Sequence, residues 1–199
     1  MKRSLLFLAA LLALFAACNK TPDPQVDVIS MLRSGKWKVN SGTVTLRQPN
    51  GVKADKTYYP DLRMTCLQDD YIIFDSSNIG KVYSNTTKCS GSDVDSANFV
   101  WVLKNNDKNM DIIGGYHIVD SVIYNIVSDP TSSTGYAVTY SPAVSRISEL
   151  KNAKLTNVSD NAFTLEYTLY AQYLDTTGGN AGSPVVKPDT FTYKVTYTH

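Results

Sequence analysis

The sequence predicts an all-β domain: an antiparallel β-barrel of about 8–10 strands with a short N-terminal helical turn, a β-sandwich being the alternative. Three observations predict it. Beyond residue 35, apolar and polar residues take turns in run after run, as in strands with one buried face. Thr, Tyr and Val fill those runs, with 13 Tyr in the chain, and β-branched and aromatic side chains suit a half-buried pleated surface. Turn-forming clusters punctuate the runs, with neither a βαβ pattern nor a fixed internal repeat. Closure into a barrel removes sheet edges and a two-layer sandwich removes part of them; periodicity is compatible with both.

The elements follow in order. Val28, Ile29, Met31 and Leu32 give an amphipathic turn that stops at Ser34-Gly35, a suitable helix end. Trp37 and Val39 then alternate with Lys38 and Asn40. Phe99, Trp101 and Leu103 share one face, as do Phe163, Leu165, Tyr167 and Leu169. Phe191, Tyr193, Val195 and Tyr197 oppose Thr190, Thr192, Lys194, Thr196 and Thr198. Strands are expected at 36–47, 57–65, 70–75, 79–84, 98–104, 109–113, 117–127, 135–140, 151–157, 162–174 and 189–198. Gln48-Pro49-Asn50-Gly51 and Asn105-Asn106-Asp107-Lys108-Asn109 are the clearest turns, since Asn and Gly tolerate positive φ. The segment 175–188 reads as the long loop.

Length and charge narrow the class. A chain of 199 residues with 43% hydrophobic and 19% charged residues suits one domain with a useful core. The formal net charge is +1. Without a basic excess to neutralise phosphates, no nucleic-acid partner is expected.

The N-terminus reads as an address. Lys2 and Arg3 precede an apolar run from Leu5 to Ala17, shorter than the roughly 20 residues a membrane-spanning helix needs and suited to a secretory signal. Leu14-Phe15-Ala16-Ala17-Cys18 resembles a bacterial lipobox, departing from it at Phe15, where Leu, Val or Ile is favoured. The resemblance implies lipidation of Cys18 and a place in the bacterial cell envelope, anchored by lipid at the outer membrane, periplasmic or surface-exposed. An ordinary signal cleaved after Ala17 is the alternative. The expected organisation is a signal peptide at 1–17, a lipidated tether at 18–27 and the barrel domain at 28–199. Several acyl chains hold a membrane stably where one holds marginally.

Cys66 and Cys89 remain. Two leftover cysteines in an oxidising compartment pair as a disulfide. A metal site is the weaker reading, because His117 and His199 are the only histidines.

Gly35-Lys36-Trp37 has the Gly-x-Trp form of the lipocalin signature, after a helical turn and at the start of the first strand. With Cys66-x-x-Asp69-Asp70-Tyr71-Ile72-Ile73-Phe74, Cys89, Trp101-Val102-Leu103, Ile112-Ile113-Gly114, Ile147-Ser148-Glu149-Leu150 and Phe163-Thr164-Leu165-Glu166-Tyr167 in this order, residues 30–198 resemble the lipocalin-like domains of Bacteroidota lipoproteins. The resemblance implies a lipocalin-like barrel with Trp37 as a plug at its closed end. Lipocalins stack an Arg over that Trp; here the last strand offers Lys194, and Arg146 is the substitute. The stretch 116–148 is longer than a plain hairpin.

Catalytic chemistry finds little support. His117 lies in a strand-like run and His199 ends the sequence, where fraying is expected. No Gly-x-Ser-x-Gly elbow, Cys–His pair or His-Glu-x-x-His helix is present, so histidine-base hydrolysis is disfavoured. Asp107-Lys108-Asn109-Met110-Asp111 starts like a calcium loop but places Ile112 and Ile118 where Gly and Glu are needed. Asp69-Asp70 and Asp93-Val94-Asp95 read as solvated loop carboxylates. Glu149 and Glu166 are the only glutamates, and Glu166 falls on a polar strand face. Asp95-Ser96-Ala97, Asp120-Ser121-Val122 and Asp175-Thr176-Thr177 resemble the O-glycosylation triplets of Bacteroidota exported proteins.

The expected protein is non-catalytic, with no metal and no cofactor. It is a membrane-anchored binding module for a small apolar or amphipathic ligand or a glycan. The alternative is a surface structural or adhesive protein that binds a protein or polysaccharide through its loops.

Overall fold

The computed structural model describes residues 26–47, 52–63, 65–89, 94–114, 121–128, 131, 136–143, 149–175 and 185–199. A short helix, α1 (Val28–Leu32), precedes eleven strands: β1 (Trp37–Arg47), β2 (Lys53–Tyr59), β3 (Tyr71–Phe74), β4 (Ile79–Tyr83), β5 (Ser96–Lys104), β6 (Asn109–Gly114), β7 (Ser121–Ser128), β8 (Tyr136–Ala143), β9 (Glu149–Ser159), β10 (Ala162–Asp175) and β11 (Val185–Thr198). Eight of them close a barrel in the order β1-β3-β4-β5-β6-β9-β10-β11, with β11 pairing back to β1. Every pairing is antiparallel. The sheet closes on itself, so the barrel and not the sandwich is the architecture.

Two insertions interrupt this up-and-down order. β2 pairs with the second half of β1, from Gly42↔Tyr59 to Arg47↔Lys53. β7 and β8 form their own two-stranded sheet, from Ser121↔Ala143 to Ser128↔Tyr136, and account for the length of 116–148.

The alternating residues are the core. Trp37, Val39, Val44, Leu46, Phe99, Trp101, Phe163, Leu165, Tyr167, Phe191, Tyr193, Val195 and Tyr197 are all buried. Burying apolar surface at roughly 25 cal/mol per Å² is what drives this closure. Gly80 is a special case. A Cβ there would overlap the ring of Phe99, which stands opposite it in the β4–β5 register. The missing side chain on one strand admits the aromatic ring of the next.

Two sequence expectations are corrected. The strand expected at 57–65 is Lys53–Tyr59. Pro60 follows, its nitrogen carries no hydrogen for a ladder, and the Leu62 N–H turns back to the Tyr58 carbonyl at 2.9 Å. The loop expected at 175–188 is shorter, since Asp175 pairs with Val185 and Gln172 with Pro188. Pro188 is tolerated because β11 meets β1 only up to Thr45↔Thr192, so the other side of Pro188 has no β1 ladder to complete.

The register gives the barrel two unlike poles. At the first lie α1, Trp37, the β3–β4 turn, Asn105–Lys108, the β9–β10 turn at 160–161 and residue 199. Short turns make this pole, with Asn78, Asn105, Asn106 and Asp107 at positive φ, where Asn and Asp are the usual non-glycine residues. At the second pole lie the strand ends that 48–52, 84–95, 115–148 and 176–184 connect, while Arg63 and Asp70, between β2 and β3, lie beside Trp37. We call them the closed pole and the open pole.

Candidate functional site

The closed pole is built around Trp37. Asp27 caps α1, its Oδ1 accepting the N–H groups of Ile29 and Ser30 at 3.1 and 3.2 Å. Such a cap satisfies donors that a helix start leaves open. Met31 and Leu32 are buried, and Trp37 Nε1 donates to the Leu32 carbonyl at 2.8 Å. The helix is thereby fixed across the barrel floor. Arg33 donates to the carbonyls of Asp75 and Ser76, both at 3.0 Å, and so ties α1 to the β3–β4 turn.

The ring over Trp37 is His199. Their centroids are 3.8 Å apart at 33°, and Ser34 Oγ meets His199 Nε2 at 3.0 Å. This corrects two expectations. His199 is not frayed, and Lys194 is not the partner of Trp37, because Lys194 lies on the outer face 3.7 Å from Glu166. Gly35 belongs to the same arrangement: a Cβ there would stand 2.8 Å from the imidazole. The fold-signature residues Gly35 and Trp37 therefore meet at one place, Gly35 making room for the ring that covers Trp37.

Above this floor the described interior fills with aromatic rings. Phe163 packs edge-on against Trp37 at 4.9 Å and flat on Tyr197 at 5.0 Å. Phe74 touches Phe99 and Trp101 at 5.6 and 5.4 Å. Tyr193 stacks on Tyr167 at 5.1 Å and meets Tyr58 edge-on at 5.4 Å. A cavity of about 10 Å³ opens beside Trp37, lined by Val39, Arg63, Asp70, Ile72 and Tyr197 among others. That is room for about one water molecule. It lies where β1 parts from β3 after Lys38↔Tyr71, and residues 60–70 cover the split. Arg63 and Asp70 are both buried there. Arg63 Nε donates to the Leu67 carbonyl at 3.0 Å.

Cys66 and Cys89 are disulfide-bonded, with Cα atoms 5.0 Å apart. The bond ties the covering segment to the strand exit after β4. Asp69 reinforces it, accepting from the Thr86 hydroxyl at 2.6 Å and from the Thr86 and Thr87 N–H groups at 3.0 and 3.2 Å. Burial raises the Asp69 pKa, but these bonds outweigh it and hold the carboxyl below its ordinary value. Asp69 is thus a loop clamp and not the solvated carboxylate the sequence suggested. Asp95 pairs with Lys88, and Asp93 lies outside the described residues.

At the open pole Asp189 is buried between Arg47 at 2.9 Å and Lys53 at 3.3 Å. Burial pushes its pKa up; the bonds from Arg47, Thr190 and Lys53 win and lower it. Asp111, in the run that begins like a calcium loop, belongs to the β5–β6 hairpin. It pairs with Lys104 and accepts the Asn152 N–H at 2.7 Å. The Lys104 bond is the main reason its pKa is lowered.

The remaining candidates do not converge. Glu149 pairs with Lys151 at 2.8 Å, and Glu166 shares the outer face with Lys194. Cys18, His117 and Arg146 lie outside the described residues, as do Thr176 and Thr177 of one glycosylation triplet; Ser96 opens β5 opposite Tyr83. Among the described residues no group of three or more His, Cys, Asp or Glu is placed to hold a metal, and no helix is long and apolar enough to cross a membrane.

The outer walls also differ. On β1, β10 and β11 the outward residues include Thr43, Thr45, Thr164, Thr168, Thr192 and Thr196, with hydroxyl contacts Thr164–Thr196 at 2.9 Å and Thr168–Thr192 at 3.3 Å. On β4, β5 and β6, Ile79, Val100 and Ile113 stand side by side in register, all exposed.

Comparison of the chain with protein-family models, curated proteins and solved structures returns no match.

Proposed function

We propose that the chain is a lipocalin-like lipoprotein, held in the bacterial outer membrane by acylated Cys18, that works as a non-catalytic binding module. It takes its partner, a protein or a polysaccharide, through the open pole. One observation carries the choice of partner: the described interior is occupied by the chain's own aromatic rings, and the cavity beside Trp37 has room for about one water molecule. Eight-stranded barrels either fill with side chains or hold one small ligand. Here the packed floor supports recognition by the rim.

A small apolar or amphipathic ligand is the second reading. The row of Tyr58, Tyr167 and Tyr193 favours it, because tyrosine offers an apolar ring with a polar end and these rings lie towards the open pole.

Two measurements test the proposal. Replacing Cys18 by Ser abolishes incorporation of labelled acyl chain and flotation with membranes; retention of both removes the anchor. In glycan-array and envelope-protein binding assays, replacing 176–184 with a Gly-Ser linker abolishes binding, and filling the interior with Leu46→Phe leaves it intact. A lipid carried by the purified protein in native mass spectrometry, and lost in Leu46→Phe, would overturn the rim reading in favour of the second.

A further inference from the structure

Resting on the Cys18 anchor proposed above, we infer that the closed pole faces the bilayer and the open pole is presented away from it. The chain enters the barrel at Val26 and Asp27, directly before α1, and α1 lies across the closed pole. Eight residue steps separate Cys18 from Val26, a reach of about 28 Å when fully extended. The β10–β11 hairpin, which extends past the β1 and β9 ladders, is longer than that reach. β10 has 14 residues, which at about 3.3 Å per residue and a tilt near 40° gives a height of roughly 35 Å. An inverted barrel would lift α1 farther from the lipid than the connecting chain extends.

The competing placement has the barrel lying on a side, and neither wall favours it. The threonine wall would lose hydration of its hydroxyl row. The aliphatic wall has Ile79, Val100, Val102 and Ile113 exposed, but Lys104–Asp111 and Lys151–Glu149 flank that patch. Pressing it into lipid would strip water from those charges, which costs more than four part-exposed aliphatic side chains return. Standing on the closed pole leaves both walls hydrated. The strand ends at Arg47, Tyr83, Gly114 and Asp175 then lie on the side from which a large partner arrives.

Förster transfer to a headgroup acceptor tests this. The full chain, produced in a Gram-negative host, is placed in phosphatidylcholine vesicles. It carries one azide-linked donor at Lys108 (closed pole), Val52 (open pole) or Val100 (aliphatic wall). Where mass spectrometry finds Cys18 unacylated, the anchoring proposal has failed; the same thiol is then coupled to a maleimide lipid and the orientation is read regardless. The expected order is Lys108 above Val100 above Val52, with a several-fold difference between the extremes. Transfer from Val100 equal to or above that from Lys108 overturns the inference in favour of the side-lying barrel. Transfer from Val52 equal to or above that from Lys108 also overturns it.

Discussion

The closed pole and the open pole solve the same problem by different physics. At the closed pole, short turns with asparagines at positive φ bring strands together, and one buried indole collects the helix, the first strand and the last residue of the sequence. At the open pole the connections are long, and the structure there depends on a covalent tie, Cys66–Cys89, and on a buried carboxylate held by two cations, Asp189. Dense packing transmits any change in volume. Local ties fail locally. The closed pole should therefore govern global stability, and the open pole should tolerate change more readily, as suits the rim through which binding is proposed.

The strongest test of that contrast is Trp37→Ala. Removing a fully buried ring and its bond to Leu32 should cost about 3–5 kcal/mol, read as a lower midpoint in urea unfolding. A loss smaller than that from removing the Cys66–Cys89 tie would erase the distinction between the poles. Next is removal of the tie: Cys66→Ser with Cys89→Ser should cost about 3 kcal/mol by loop-closure entropy. Proteolysis should then cut first within 60–70 or 84–95. Gly80→Ala probes the wall between the poles, since the new methyl meets the Phe99 ring; a cost of about 1–3 kcal/mol is expected, and Phe99→Leu in the same chain should recover part of it.

The smallest effect is the pH dependence. Asp111, Asp189 and Asp69 all have lowered pKa values in the folded chain. A depressed folded pKa contributes stability above the unfolded value, near 3.9, and loses it as pH falls through the folded value. Stability should therefore be steady from neutral pH to about 5 and fall below about 4. Asp189→Asn should flatten part of that fall; an unchanged acid profile in this variant would remove Asp189 from the account.

Much of the architecture was legible because the side-chain period of a strand is written directly into sequence. Phe163, Leu165 and Tyr167, and Tyr193, Val195 and Tyr197, announce an inward face, and they are buried. The errors arose where the backbone departs from that period. Lys53–Tyr59 shows little alternation because β2 stands outside the closed wall and buries only Tyr58 in full. Pro188 reads as a breaker but sits where β1 no longer needs a donor. The Trp37 arrangement was half legible. Gly35 and Trp37 were visible as a pair, whereas His199 is brought to them only when β11 closes on β1. Its signal was the absent side chain at position 35, which means something only once its neighbour is known. Gly80 and Phe99 pose the same difficulty: a local vacancy whose occupant is supplied by another strand.

The seam between β1 and β11 has a consequence for how the molecule comes into being. Lys38↔Thr198 and Thr45↔Thr192 join residues from opposite extremes of the domain. Contacts so distant in sequence are slow to form, because a large loop must close before any of them is rewarded. Until the final strand is available, the nascent protein is a curved ribbon with two open margins. The polypeptide thus locks its shape only after β11 has been made and has met β1.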